Sequence, residues 1–497
     1  MKNKINYIFW PFLLSFYFIT RIINLKIIPI FTDEAIYSYW AQVALHDPAH
    51  RFLSLEDGKQ PLFIWFAALS QKFIADPLIA TRLVSVIAGF CALIGIYLLA
   101  KELFNRQIGL LSSILYIILP FTLLYDRMAL FDSLLTMLGI YAVFFSVKMI
   151  KNPKLDLAIL NGFAIGLAMI TKSSGVIFLY LLPASLILFK YRNKIIKHKI
   201  VRWIGLSLVT IFIAQIIYNL LRLSPLFYII NQKNLSFVRT FQEVLSDPFV
   251  FLYSNLTSII KWIIDYISLP LFILFIIAII LGIIKRKTST YYLIILFFAP
   301  LLAETLFNKV LYPRFILFYF PFMIILISFG FISLLEIFTK YRKYLIIVFI
   351  LFIISPAITS YRLLTNPPIA NIAENDSDQY FNAWPAGYGI FEIVNFVKEE
   401  SKFNKVIVGT EGTFGLFPFA LKIYFRSNPN VNIIGFWPVN ENNLPPQIID
   451  ASRETKTLFV FNENQADITN PRLILIKKYQ KGIGNSYMRL FEVFPNR

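Results

Sequence analysis

The chain has a single cysteine in 497 residues, Cys91, and it sits inside an apolar run. A disulfide framework and a cysteine-based zinc site are both excluded. Charge is scarce too: 15% of residues are charged, against roughly 25% in a typical soluble domain. Acidic residues fall short of basic ones, 28 against 47, for a formal net charge of +19. The basic excess sits between apolar runs rather than on one continuous face, so membrane orientation explains it and nucleic acid does not. The outline of a cleaved signal peptide is incomplete. Behind Lys2 and Lys4 the first apolar run, Ile5 to Thr20, leads into Arg21-Ile22-Ile23-Asn24 with no small-x-small site, and it reads as a retained span. A nucleotide-binding glycine fingerprint is also missing, because "GTEGTFG" from Gly409 has neither the Lys-Ser/Thr of a phosphate loop nor G-x-G-x-x-G spacing.

What is abundant is apolar. Hydrophobic residues make up 58% of the chain and the mean hydropathy is +0.67, values that place it among polytopic α-helical membrane proteins. A span needs about 20 apolar residues. Eleven segments qualify, near residues 7–25, 82–100, 107–125, 129–149, 156–171, 174–190, 203–221, 266–284, 291–307, 315–335 and 344–360. Pro120, Pro183, Pro270 and Pro300 fall within or at the ends of these runs, where they kink or terminate helices. Alternate connections are basic: Lys101 and Arg106; Lys148, Lys151 and Lys154; "KYRNKIIKHK" from Lys190; "KRK" at Lys285; and "KYRK" at Lys340. They share a side with Lys2 and Lys4, and the positive-inside rule makes that side cytoplasmic. The connections 21–81 and 222–265, and everything after Ser360, then face outward from a plasma (inner) membrane.

Beyond Tyr361 the pattern changes. A linker rich in Asn, Pro and Asp precedes the amphipathic "FEIVNFVKEE" and the strand-like "KVIVGT", "VNIIGFW", "TLFVF" and "RLILIKKY". The alternation predicts a small α/β domain over 361–497, outside the membrane, after a transmembrane domain over 1–360.

Five polar features gather on the outward side. "FTDEAIYSYW" puts Asp33 and Glu34 at the start of a helix, where carboxylates are favoured by the exposed amides and dipole. Neighbouring helical residues point roughly 100° apart, so one of the pair can face a ligand while the other caps or binds elsewhere. "EDGKQPLFIW" places Lys59 just before a helix start at Pro61, a position equally suited to snorkelling at the membrane surface or to holding a phosphate. "YDRMALFDSLLTM" brings Arg127 and Asp132 to a turn between spans. A structural ion pair explains them, yet an ionisable residue entering a span is a functional candidate by default. Lys172 in "TKSSG" and Arg314 in "LYPRFILFYFP" complete the set. The cations Lys59, Arg127, Lys172 and Arg314 and the carboxylates Asp33, Glu34 and Asp132 suit an anionic lipid headgroup and a nucleophile that must lose a proton.

In its order of motifs the chain resembles membrane glycosyltransferases of the GT-C class. Asp33-Glu34 after the first span, Gly58-Lys59-x-Pro61, the Arg127-to-Thr136 turn, Thr171-Lys172 and the Arg314-to-Pro321 run are similar to the protein O-mannosyltransferase and lipid A aminoarabinose transferase group. The resemblance covers roughly Ile5 to Pro321. It implies a polyprenyl-phosphate-linked sugar donor used on the outer face, Asp33 as the catalytic base, Lys59 at the donor phosphate and Asp132 lining the same cavity. The substrate-binding set it implies is Glu34, Lys59, Arg127, Asp132, Lys172 and Arg314. One departure stands out: aminoarabinose transferases carry Glu before the lysine, where it helps ligate a metal, and Gly58 stands there in this chain. No such metal site is expected, no cofactor is implied, and divalent-ion assistance stays open. The acceptor is left undefined as protein, lipid or glycan. Two other readings compete, a transporter or flippase of polyprenyl-linked sugars and a non-catalytic envelope scaffold. The first predicts repeats and mid-membrane charges, which the sequence does not display.

Overall fold

The computed structural model describes residues 2–189, 196–440 and 442–495, and each of the eleven apolar segments is mainly helical over its described residues. Length and apolarity qualify six of the described helices to cross a membrane, or eight if each of two bent pairs is one span. The expected count of eleven is therefore not reached. Pro120 breaks one run into Arg106–Ile118 and Pro120–Asp126 at 65°, and Leu252–Ile267 turns by 111° into Leu269–Ile284 at Ser268, whose φ is +76°. Leu155–Met169 has 15 residues, about 22 Å at 1.5 Å per residue, short of the roughly 30 Å hydrocarbon core. Gly162 and Gly166 let this helix lie against the helix Ile196–Asn219, since a Cβ on either would meet Ile213 or Ile217 within 3 Å. The run near 174–190 is divided into turns over Ser173–Val176, Ile177–Tyr180 and Leu182–Leu188, with Pro183 in the last. Part of the dense basic connection, residues 190–195, lies outside the described residues.

The helix ends separate by charge. Lys148 and Lys151 at the end of Phe131–Lys151 both pair with Glu102 of Pro77–Leu103, at 3.3 and 2.9 Å. Asp132 begins that same helix, so the motif residues gather at its opposite end.

After the Arg342–Thr365 helix the chain enters a five-stranded sheet of order β2-β1-β3-β5-β4. The strands are β1 Val406–Glu411, β2 Val431–Phe436, β3 Lys456–Phe461, β4 Leu473–Gln480 and β5 Tyr487–Val493. β1 runs parallel to β2 and β3, while β5 is antiparallel to β3 and β4. The four patterned segments form β1 to β4 and "FEIVNFVKEE" lies in the helix Ile390–Glu400; β5 is additional.

This unit is anchored where the first candidate motif begins. Phe31 and Ala386 form an isolated antiparallel bridge. Thr32 donates its N–H to the Pro385 carbonyl at 3.2 Å, and Gly387 donates to the Ile30 carbonyl at 2.8 Å. A Cβ on Gly387 would lie 2.5 Å from Ile30, so a side chain there would force the two strands apart. The Leu416–Phe425 helix packs beside Thr32–His46, with Tyr39 and Phe419 stacked at 4.4 Å.

Candidate active site

Thr32–His46 starts at the bridge, and its first turn carries both acids. Glu34 turns inward. Its carboxylate accepts from the Phe31 N–H at 3.0 Å and the Ala129 N–H at 2.6 Å, and takes Arg82 in a two-pronged pair at 2.8 and 2.6 Å. Both partners are fully buried. Arg82 also donates to the carbonyls of Leu25, Ile28 and Pro29, and Arg127 to those of Thr20, Ile23 and Asn24. Two arginines and a glutamate thus cap the first helix and shape the 24–31 loop. Burying so many carbonyls away from water requires such donors.

Asp33 turns the other way, into a cavity of about 1040 Å³ whose lining includes Lys59, Asp132, Lys172 and Arg314. Arg314 Nη1 donates to Asp33 Oδ2 at 2.7 Å. Lys172 Nζ meets Asp132 Oδ1 at 2.7 Å and lies 4.3 Å over the Phe315 ring. Lys59 has no carboxylate at ion-pairing distance among the described residues; its ammonium lies 5.4 Å over the Phe237 ring. Burial pushes the Asp33 carboxyl up, but Arg314 and then Lys59 outweigh it and hold the group below the usual carboxylate range. Lys59 moves down as well, chiefly through burial, with Asp33 opposing. Asp33 is therefore ionised throughout the neutral range.

Five of the seven motif residues thus meet at one cavity, and two do not. Glu34 and Arg127 stand behind its wall, where they hold the loop that presents Asp33. The sequence expectation that one acid of the pair faces a ligand while the other caps matches this geometry.

Several cavity residues carry no mark in the sequence reading. Lys233, on the Ile229–Phe237 helix, pairs with Asp57 and lines the cavity. Gly58, at φ +66°, lets that helix approach, since a Cβ there would lie 2.5 Å from Lys233 Cβ. Glu304 lines it near the end of Thr288–Phe307 and accepts from Tyr319 Oη at 2.7 Å. The rule that singled out Asp132, an ionisable group inside an apolar run, would have found it. Trp384, Glu411, Phe414 and Glu463 reach the cavity from the sheet unit, and no local signal marks them. Among the described residues no group of three or more His, Cys, Asp or Glu side chains is placed to hold a metal ion.

Residues 58–219 match the family model described as dolichyl-phosphate-mannose-protein mannosyltransferase. The fold is similar to the crystal structure of ArnT from Cupriavidus metallidurans in the apo state, at 12% identity and TM-score 0.59, over 99% of this chain and 98% of that one. The same protein bound to undecaprenyl phosphate gives 12% identity and TM-score 0.57 over the same shares. The oligosaccharyltransferase of Archaeoglobus fulgidus in complex with Zn and sulfate gives 12% identity and TM-score 0.53, covering 90% of this chain and 67% of that one. No curated protein matches the chain in sequence. The chain is a multi-pass helical membrane protein with the fold of GT-C glycosyltransferases, and the resemblance read from its motifs is borne out.

Proposed function

We propose that the chain transfers a single sugar from a polyprenyl-phosphate donor to an acceptor hydroxyl. The observation that carries this reading is the Asp33–Arg314 pair set in one cavity with Lys59 and Lys172. The fold it shares with ArnT, a protein whose structure holds undecaprenyl phosphate, supports the choice of donor.

The chemistry follows from the charges. A phosphate is already a weak base, so its departure from the anomeric carbon needs positive charge around its oxygens rather than a strong acid. Lys59 and Arg314 supply it, and Lys172 adds charge from its pair with Asp132. Arg314 gives Asp33 one N–H, leaving its other donors without a protein acceptor among the described residues. An arriving phosphate takes those donors and draws the guanidinium's charge away from Asp33. The carboxylate then becomes a better base for the acceptor proton, a contribution of about 10²–10⁴ in rate. Attack opposite the phosphate inverts the anomeric centre. The cavity lies on the outer face of the plasma membrane, with the N-terminus cytoplasmic and the sheet unit, 361–497, outside. Residues 222–265 cover the donor end.

The test incubates purified protein with radiolabelled polyprenyl-phosphate sugars and follows transfer and donor hydrolysis. Asp33→Asn is expected to lose turnover while still binding undecaprenyl phosphate. Unchanged turnover in that variant would remove Asp33 as the base, and export of intact lipid-linked sugar without cleavage would favour a flippase.

A further inference from the structure

One wall of the cavity comes wholly from the sheet unit. Glu411 ends β1, and Asn462 and Glu463 follow β3. These are the carboxyl ends of adjacent parallel strands, the place where open α/β sheets bind ligands. The wall is rigidly built. The buried Glu411 carboxylate accepts the backbone N–H groups of Asn462 and Glu463, each at 2.7 Å, and of Asn464 at 2.9 Å. The buried ammonium of Lys481 donates to the Trp384 carbonyl at 2.8 Å and to the Asn462 side chain, which itself donates to the Trp384 carbonyl at 3.1 Å. Burial draws this lysine down to about 7.

Trp384 is thereby fixed in place, yet its residue is 46% exposed, as Phe414 is at 54%, and both line the cavity. The bridge between Phe31 and Ala386 sets their distance from the chemistry. Asp33 lies two residues past it on one strand and Trp384 two residues before it on the other. Gln379 also lines the cavity, and its Oε1 is buried without a hydrogen-bond donor among the described residues. The charged side chains that line the cavity on this wall are the carboxylates of Glu411, Glu463 and Asp378, with the Lys481 ammonium buried behind them, whereas the lining cations lie at the donor end.

We propose that this wall is the acceptor subsite and that the acceptor is a neutral carbohydrate, one sugar ring lying on Trp384 with hydroxyls donated to Gln379 and Glu463. Aromatic platforms flanked by acceptor-rich side chains suit sugars, which present an apolar C–H face and a rim of O–H donors. A phosphorylated acceptor would be repelled by the three carboxylates. An extended peptide would seek a free strand edge, and this wall offers strand ends and loops instead. The inference rests on the transferase reading of the same cavity. In the step it serves, an acceptor oxygen bonds to the anomeric carbon as the bond from that carbon to the phosphate oxygen breaks. The hydroxyl proton passes to Asp33 and the polyprenyl phosphate leaves with the electron pair.

The experiment uses the full chain in lipid nanodiscs, probed with an array of neutral glycans, a Lys- and Ser-rich peptide and a phosphorylated glycolipid, with undecaprenyl phosphate binding read separately. Wild type is expected to retain neutral glycans, Trp384→Ala to bind them about tenfold more weakly, the scale of a lost aromatic contact, and Trp384→Phe to recover most of the loss. Trp437→Ala, at an exposed tryptophan outside the cavity, serves as the control and is expected to match wild type. Retained undecaprenyl phosphate binding in Trp384→Ala certifies its fold. Preference for the peptide or the phosphorylated lipid, no retained glycan, or an unaffected Trp384→Ala would overturn the acceptor assignment. Failure to bind undecaprenyl phosphate with glycan binding intact would instead strike the donor reading.

Discussion

Asp33 and Glu34 are neighbours in sequence, each paired with an arginine, and they do opposite work. Glu34 and Arg82 are fully buried, each with further backbone partners. Asp33 and Arg314 keep 21% and 13% of their side chains exposed and are each other's hydrogen-bonding partner. A closed network with every lone pair answered is a structural device. A pair with donors to spare, beside a cavity, leaves polar groups facing open space.

The difference can be broken from either side. The largest effect is expected from Glu34→Ala, which strands a buried arginine. Removing one partner of a buried pair costs about 3–5 kcal/mol, and the thermal midpoint in detergent should fall sharply. Asp33→Ala, at a partly solvated site, should move it less. Equal losses would mean that the two pairs do not differ in kind. A smaller effect is expected from Lys59→Met, which removes a cation at the cavity. Undecaprenyl phosphate binding should weaken by about tenfold, the scale of one charge-assisted hydrogen bond of 1.5–3 kcal/mol discounted for screening, with the midpoint unchanged; unaltered binding would take Lys59 out of the phosphate site.

A pH-dependent effect is expected at another buried acid, Asp376, which anchors the sheet unit to the helices by accepting from Tyr125 at 2.5 Å and from Tyr266. Burial raises its carboxyl to about 7, against the hydrogen bonds from the two tyrosines. An acid raised in the folded state binds more protons there than when unfolded, between an unfolded value of about 3.9 and 7. Its contribution to stability therefore declines as pH rises through that window and levels off above it. Asp376→Asn should flatten this decline, gaining on wild type at pH 8 relative to pH 5 in paired thermal melts. Parallel curves for the two proteins would show that the carboxyl does not titrate there.

Much of this was legible beforehand. The helical runs, the basic ends and four of the sheet's strands follow from local periodicity. The site was half legible: Lys59, Asp132, Lys172 and Arg314 stood out because charge beside an apolar run is costly. Arg127 carried the same signal and proved to serve the first helix's carbonyls, since a buried arginine can answer a backbone as readily as a ligand. The count of eleven spans is not reached at runs such as Leu155–Met169 and Ser173–Leu188, which are apolar but shorter than a span, because hydropathy registers apolarity and not where a helix stops.

Composition and pattern alone determined that this chain lives in a membrane, which way its ends are charged, and where its unusual ions lie along it, because hydrophobic burial and charge placement are written residue by residue. Only the tertiary structure decided which acid of Asp33-Glu34 meets the cavity and that Trp384, 351 positions away by number, stands beside it. Long-range contacts made that choice, Arg82 and the Ala129 N–H drawing Glu34 inward and the Phe31–Ala386 bridge bringing Trp384 near, and such contacts leave no trace in the local order of side chains.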